Sequence, residues 1–220
     1  MCPPVVRTRT FLTLLGGGPT HLSHIKQSLK IAPILVAADS GADSALRAGH
    51  MPAAVIGDMD SISEESRAAI DPDIFHHIDD QHSTDFEKCL TRIEAPLILA
   101  HGFSGGLLDH QLAACNALVR HPTQNCILMG REDICFLAPL EFDIDLPHGT
   151  RFSLFPMGEV QGISEGLLYP IEEVDMSPGH LIGTSNTVTR PVRLKFSSRH
   201  MLVLLPRTQL QRALQALGKT

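Results

Sequence analysis

Apolar and polar positions follow two different textures along this chain. Through the first 130 residues, short apolar runs alternate with stretches of helical spacing. Phe11–Leu15, Ile34–Ala38, Ala54–Ile56, Ile74–Ile78, Leu97–Ala100 and Cys126–Met129 predict strands. Between them, residues 21–29, 41–48, 63–70, 84–93 and 109–120 predict helices. Ser61-x-x-Glu64 and Thr84-x-x-Glu87 read as capping boxes, in which side chains satisfy the first free N–H groups of a helix. Such alternation predicts an α/β fold whose N-terminal sheet is mostly parallel and flanked by helices. Beyond Gly130 the runs are Ile134–Leu137, Phe142–Leu146, Arg151–Phe155, Val192–Phe196 and Met201–Leu205, broken by Pro, Gly, Asp and Ser. Arg193–Phe196 alternates with period two, so one face is buried. These runs predict a C-terminal antiparallel β-sandwich, then a short helix over Gln209–Leu217. The expected domains are residues 1–130 and 131–220.

Composition narrows the class. Of 220 residues, 43% are hydrophobic and 19% charged, which argues for a globular chain and against disorder or coiled coil. No apolar run approaches the roughly 20 residues that cross a bilayer, and Phe11–Leu15 is too short for a signal-peptide core. A cytoplasmic protein is expected. The net charge of −6 without a basic stripe argues against nucleic acid and membrane as partners. An acidic protein that binds a polyphosphate needs a divalent cation between the like charges. The cysteines (Cys2, Cys89, Cys115, Cys126, Cys135) form no close pair, as expected of buried thiols in a reducing compartment. The histidines lack zinc-ligand spacing.

Aspartate carries the strongest chemical signal. Ten of the 14 Asp residues lie between Asp39 and Asp109, several just after a predicted strand. In open α/β sheets ligands bind at the carboxyl ends of strands, so segments distant in sequence deliver acidic groups to one edge. Taken singly, each Asp is an ordinary turn or cap residue; taken together, they predict a site. Asp58-Met59-Asp60, after Gly57, places two carboxylates where they can hold Mg2+ with phosphate oxygens. The same D-x-D pattern suits a phosphatase of the haloacid dehalogenase type, with Asp58 as nucleophile and Asp60 as general acid. In Ser83–Lys88, Thr84 caps a helix whose free N–H groups favour an anion. Asp85 can hold a metal there, and Lys88 can neutralise a phosphate. Gly102–Gly106 precedes a helix led by Asp109-His110, and Gly16–Gly18 also follows a strand; backbone amides in such loops can cradle phosphate.

Taken in order, these strings resemble the thiamine pyrophosphokinase family. The matching residues are Ala38–Ala42, Gly57–Ser61, Asp80-Gln81, Ser83–Asp85 with Lys88, Gly105-Gly106, Asp109-His110 with Asn116, and Gly183–Asn186. The resemblance implies transfer of the diphosphoryl group of ATP to the hydroxyl of thiamine, giving thiamine diphosphate and AMP. It implies an α/β nucleotide-binding catalytic domain and a β-sandwich domain for thiamine binding and dimerisation. It also implies a homodimer with active sites between subunits. Carried onto this chain, Asp58, Asp60 and Asp85 hold Mg2+. Gln81, Thr84, Lys88, Gly105 and Gly106 position the triphosphate, with Asp109 in support. Asp39 and Ser40 sit near the nucleotide or the thiamine hydroxyl, and Asp39 or Asp60 is the candidate proton acceptor. Ser185 and Asn186 contact thiamine. The family's usual Arg after the paired glycines is Leu107 here, and the Glu of its Ser-Asn-Glu string is Thr187. Some relatives stack thiamine on Trp; this chain has none, so Tyr169 or a Phe must supply the apolar wall. Two alternatives stand beside this reading: the phosphatase built on Asp58, and a non-catalytic thiamine- or nucleotide-binding relative, which Leu107 and Thr187 favour.

Overall fold

The computed structural model describes residues 3–218. Packing divides the chain into two compact units, Met1–Arg131 and Glu132–Thr220. In chain order the first unit contains β1 (Val6–Arg7), β2 (Leu12–Leu15), α1 (Leu22–Leu29), β3 (Ile34–Ala38) and α2 (Gly41–Arg47). It continues with β4 (Ala54–Gly57), α3 (Glu64–Ala69), β5 (Phe75–His77), α4 (Asp85–Arg92), β6 (Ile93–Glu94), β7 (Ile98–His101), α5 (Leu108–Arg120) and β8 (Cys126–Met129).

Six of these strands form a wholly parallel stretch of sheet in the order β8-β7-β2-β3-β4-β5. β2, β4, β7 and β8 are buried along their whole length. That is why they read as nearly continuous apolar runs, interrupted by Thr13 and His101: helices cover both faces of such a sheet. Ile25 of α1 and Ala45 of α2 pack with Leu15 and Leu35, while Ala42 of α2 packs with Ala37, Val55, Met59 and Ile70. Each fully buried Leu, Ile or Met side chain contributes about 1.5–3 kcal/mol.

Two local expectations are corrected. α3 is capped by Ser63, whose Oγ accepts from Ser66 N at 3.2 Å, so Ser61-x-x-Glu64 is not its capping box. Ser61 instead donates to Asp60 at 2.7 Å. Ile74 belongs to a 3-10 turn, Pro72–Ile74, started by proline and the Asp71 cap, and the strand begins at Phe75. The second box is present in full: Thr84 Oγ1 accepts from Glu87 N at 3.3 Å, and Thr84 N donates to Glu87 Oε2 at 3.4 Å.

The second unit holds β9 (Asp133–Leu137), β10 (Glu141–Ile144), β11 (Arg151–Pro156), β12 (Val160–Leu167), β13 (Glu172–Met176), β14 (Gly183–Phe196), β15 (Met201–Pro206) and α6 (Leu210–Leu217). Every pairing among these strands is antiparallel. β14 is shared by two layers. Its first half pairs with β11, its second half lies between β10 and β12, and Phe136 of β9 meets Phe142 of β10 with ring centroids 5.4 Å apart. Among the described cysteines, Cys89 and Cys126 are buried, and burial raises their thiol pKa values well above the usual range. Cys2 lies outside the described residues. Among the described residues no helix is long and apolar enough to cross a membrane.

Candidate active site

The first unit's chain runs outward from β2 to β5, then returns to place β7 on the other side of β2. A reversal of strand order opens a crevice at the carboxyl ends of the two strands flanking it, here β2 and β7. The loops leaving those strands are both glycine-rich and touch each other. Gly16 N donates to His101 O at 2.8 Å, and Gly18 N donates to Gly102 O at 3.0 Å. Gly102 has a φ of 77°, and a Cβ on it would run into the Gly16 carbonyl oxygen, so only glycine allows this approach. The His101 ring is buried beneath, with Nε2 2.8 Å from Ser28 Oγ on α1.

A cleft of about 740 Å³ opens over these loops, within the usual range for small-molecule sites. Its lining includes Gly17, Asp39, Asp58, Thr84, Lys88 and Asp109. Asp39 directly follows β3 with a left-handed φ of 45° and is 3% exposed. Asp58 and Asp60 follow β4, separated by Met59 at a φ of 64°. Such a conformation costs a non-glycine residue about 1–3 kcal/mol and persists where surrounding packing over-determines it. One carboxylate oxygen each from Asp39, Asp58 and Asp60 lie within 4.8 Å of one another. Asp39 Oδ1 and Asp58 Oδ1 are buried with no hydrogen-bond partner. Gly57 keeps this corner narrow: a Cβ there would lie 3.0 Å from Asp39 Cβ and 3.2 Å from Asp85 Oδ1.

α4 supplies the counter-charge. Lys88 is 3% exposed, and its Nζ donates to Asp58 Oδ2 at 2.7 Å and to Asp85 Oδ1 at 3.0 Å. Burial works against the ammonium, yet hydrogen bonds to Asp58 and Asp85 outweigh it and raise its pKa. The same Lys88 bond holds the Asp58 carboxyl below its ordinary value. Asp39 goes the other way: burial raises its pKa against a hydrogen bond from the Ser40 backbone, and Asp85 and Asp60 add to the rise. Glu87, behind the capping box, is held by Arg120 at 2.6 Å, which ties α4 to α5.

The structure thus brings Asp39, Ser40, Asp58, Thr84, Asp85, Lys88, Gly106 and Asp109 to one cleft. Asp60 joins through the carboxylate trio. Gln81 and Gly105 do not line the cleft; Gln81 is exposed and Gly105 N donates to Gln111 Oε1 at 3.1 Å. Leu107 lines the cleft and is 68% exposed. Residue spacing missed Phe103, which packs on Phe86 with centroids 4.5 Å apart. In the second unit, Ser185 is exposed at a φ of 57°, at an irregularity in the β11–β14 pairing, and its N–H donates to Ser153 Oγ at 3.0 Å. Asn186 is buried and both polar atoms of its amide are hydrogen-bonded. Oδ1 accepts from Tyr169 N at 3.0 Å and Thr187 N at 2.8 Å, and Nδ2 donates to Tyr169 O at 2.6 Å. The Tyr169 side chain is left exposed.

Residues 25–129 match the family model for the thiamin pyrophosphokinase catalytic domain, and residues 140–201 match the one for the thiamin pyrophosphokinase vitamin B1 binding domain. The chain belongs to the thiamin pyrophosphokinase family. It is similar to Thiamine pyrophosphokinase 1 of Oryza sativa subsp. japonica, 32% identical over 165 residues, covering 65% of this chain and 61% of that protein. The aligned chain thus spans about three fifths of the length of that relative. Thiamin pyrophosphokinase 1 of Caenorhabditis elegans is 28% identical over 206 residues, 84% of each chain. Among solved structures, the fold is shared with thiamin pyrophosphokinase from Candida albicans, with a TM-score of 0.75 over 94% of this chain and 95% of that one at 16% identity. The cleft residues all fall within the first unit, and the family's catalytic-domain match covers every one of them from Ala38 onward.

Proposed function

We propose that this thiamin pyrophosphokinase family member transfers the diphosphoryl group of ATP to the hydroxyl of thiamine, giving thiamine diphosphate and AMP. The observation that carries the reading is the Asp39–Asp58–Asp60 trio, with unpartnered buried oxygens on Asp39 and Asp58, at the sheet edge of a chain matched by both domain models. A buried carboxylate oxygen without a partner is costly unless a ligand completes it. An all-oxygen donor set suits a hard cation, and Mg2+ is the hard cation that binds through carboxylates and substrate phosphates. Asp58 and Asp60 would hold it, with Asp39 and Asp85 completing the acidic wall. Bound there, Mg2+ supplies positive charge against the triphosphate oxygens.

The chain's own residues do the rest by positioning. Lys88 brings a buried cation, and the amides at the start of α4 and those of Gly17 and Gly106 in the two glycine loops orient phosphate oxygens. Ser40, Thr84 and Asp109, which line the cleft, are proposed as polar contacts around the nucleotide. The thiamine hydroxyl oxygen bonds to the β-phosphorus as the bond to the oxygen retained by AMP breaks, and the hydroxyl proton passes to Asp39 or Asp60. Ser185, exposed at its irregularity, contacts thiamine, while Asn186 acts by holding the backbone of Tyr169, whose exposed ring faces the cationic thiazolium. The second unit is proposed as the thiamine-binding and dimerisation domain of a cytoplasmic homodimer with active sites between copies. The phosphatase and non-catalytic alternatives are not favoured, because both domain matches are to thiamin pyrophosphokinase.

Purified protein incubated with thiamine, ATP and Mg2+ tests this by chromatography of the products. Thiamine diphosphate and AMP in equal amounts, abolished by EDTA, are expected. ADP with thiamine monophosphate would place the attack on the wrong phosphorus, and no product at all would overturn the reading.

A further inference from the structure

The Asp58–Met59–Asp60 turn is held at its centre by groups that do not line the cleft. The Met59 side chain is buried among Ala37, Ala42, Val55, Ile62 and Ile70. Its backbone stands at a φ of 64°, a region that methionine rarely occupies. Its carbonyl oxygen accepts a hydrogen bond from Arg67 Nη2 on α3. The Arg67 guanidinium also lies 6.0 Å from the Phe75 ring centroid. α3 is itself pinned: Ser63 Oγ caps Ser66 N and donates to Asp43 Oδ1 of α2 at 2.9 Å. The donor that reaches Met59 therefore comes from an element fixed on both sides.

Asp58 and Asp60 flank this one residue, so the Met59 backbone angles decide whether their carboxylates point at a common point. Relaxation of Met59 to a negative φ would turn Asp60 away from Asp58 and dissolve the trio. We infer that Arg67 is a positioning residue for cation binding: by holding the Met59 carbonyl it keeps the left-handed turn in place and so sets how tightly Asp58 and Asp60 hold a divalent cation. Arg67 does not line the cleft and acts through the Met59 carbonyl. The identity of the cation as Mg2+ rests on the function proposed above.

The test titrates Mg2+ alone against melting temperature for the wild type, Arg67→Met and Arg67→Lys, and measures kcat and KM in the same proteins. Arg67→Met keeps an unbranched stem near Phe75 and removes the donor. Its half-point for the Mg2+-dependent shift is expected to rise about tenfold, in line with a lost hydrogen bond from a charged group. The KM for thiamine is expected to stay as in the wild type. Arg67→Lys retains a donor and should fall between the two. An Arg67→Met protein that melts lower but keeps the wild-type Mg2+ half-point overturns the inference and leaves Arg67 a stabilising residue only. Should Arg67→Met fail to fold, Arg67→Lys decides: a half-point raised about threefold supports the inference, and an unchanged one overturns it. A wild-type protein whose melting responds to Mg2+ but which makes no thiamine diphosphate overturns the proposed reaction, while the titration still decides the Arg67 inference. A wild-type melting temperature that Mg2+ does not move overturns the Arg67 inference, and the product assay then decides the proposed reaction alone.

Discussion

Asp39 in the first unit and Ser185 in the second both take a left-handed backbone, with φ of 45° and 57°, but their surroundings are arranged in opposite ways. Around Asp39, carboxylates crowd together and two buried oxygens lack partners. Around Ser185, the neighbouring polar groups are satisfied: Ser153 takes the Ser185 N–H, and the Asn186 amide closes on both backbone groups of Tyr169. The first region leaves hydrogen-bonding capacity open for something that arrives from outside. The second spends its capacity on shape, leaving only the Ser185 and Tyr169 side chains outward. One is built to bind charge and tolerates instability to do so; the other is built to present a surface.

Substitutions can break this contrast, and the largest effect is expected at Asp58. Asp58→Asn should lower thiamine diphosphate formation about a thousandfold or more while melting stays within a few degrees, as measured by product chromatography and thermal unfolding. A near-normal rate would remove Asp58 from the chemistry. Asn186→Ala should behave in reverse, because it strands the Tyr169 N–H and carbonyl. A loss near 2 kcal/mol, or about 4–8 °C in melting temperature, is expected. An unchanged melting temperature would show that the clamp is not structural.

Asp39→Asn sharpens the contrast further. Because the folded pKa of Asp39 lies above its unfolded value, its contribution to stability is present below the ordinary carboxylate pKa and lost as pH rises through the raised one. At neutral pH its charge therefore weighs against folding. The metal-free Asp39→Asn protein should melt a few degrees higher than wild type at pH 7, with the gain vanishing at low pH where Asp39 is protonated, and with activity lost. A lower melting temperature at pH 7 would contradict this. The smallest effect is expected at Leu107, which is exposed beside the cleft. Leu107→Arg should leave the rate unchanged or raise it up to about tenfold by adding a charged contact to the triphosphate. A large fall in rate would mean that the leucine packs on substrate.

The parallel sheet was legible because its strands are buried on both faces. Ile34–Ala38 and Cys126–Met129 are therefore unbroken apolar runs, and Leu12–Leu15 is broken only by Thr13, whose buried hydroxyl donates to Ala32 O. β12 did not, and the reason is physical. Its inward positions are filled by Gly162, Ser164 and Gly166, while Ile163 faces outward at 44% exposure. Gly162 is inside because a Cβ there would lie 2.8 Å from Phe196 Cδ1, so the neighbouring strand supplies the bulk. The first half of β14 is polar and interrupted at Ser185, with Pro191 further along, which hid a single 14-residue strand. In the cleft, residue spacing found the aspartates and the Thr84 capping box. It did not find that Asp39 sits against Asp58 and Asp60 while Asp85 pairs with Lys88, because that sorting depends on the backbone angles of Asp39 and Met59. Nor did it find Arg67, whose role depends on a carbonyl and leaves no mark in the side-chain pattern.

The meeting of the two glycine loops also sets an order of events during synthesis. Gly16 and Gly18 are hydrogen-bonded to His101 and Gly102, so the first loop has no wall to lean on until the chain has been made through β7. At about 5–20 residues per second, that delay is on the order of ten seconds. During it, β2, β3 and β4 can pair while the aspartates already emerged face no closed pocket. The nucleotide cleft is thus a late product of folding. A ribosome-bound chain stalled before β7 should hold an acidic sheet edge with no place yet for a triphosphate.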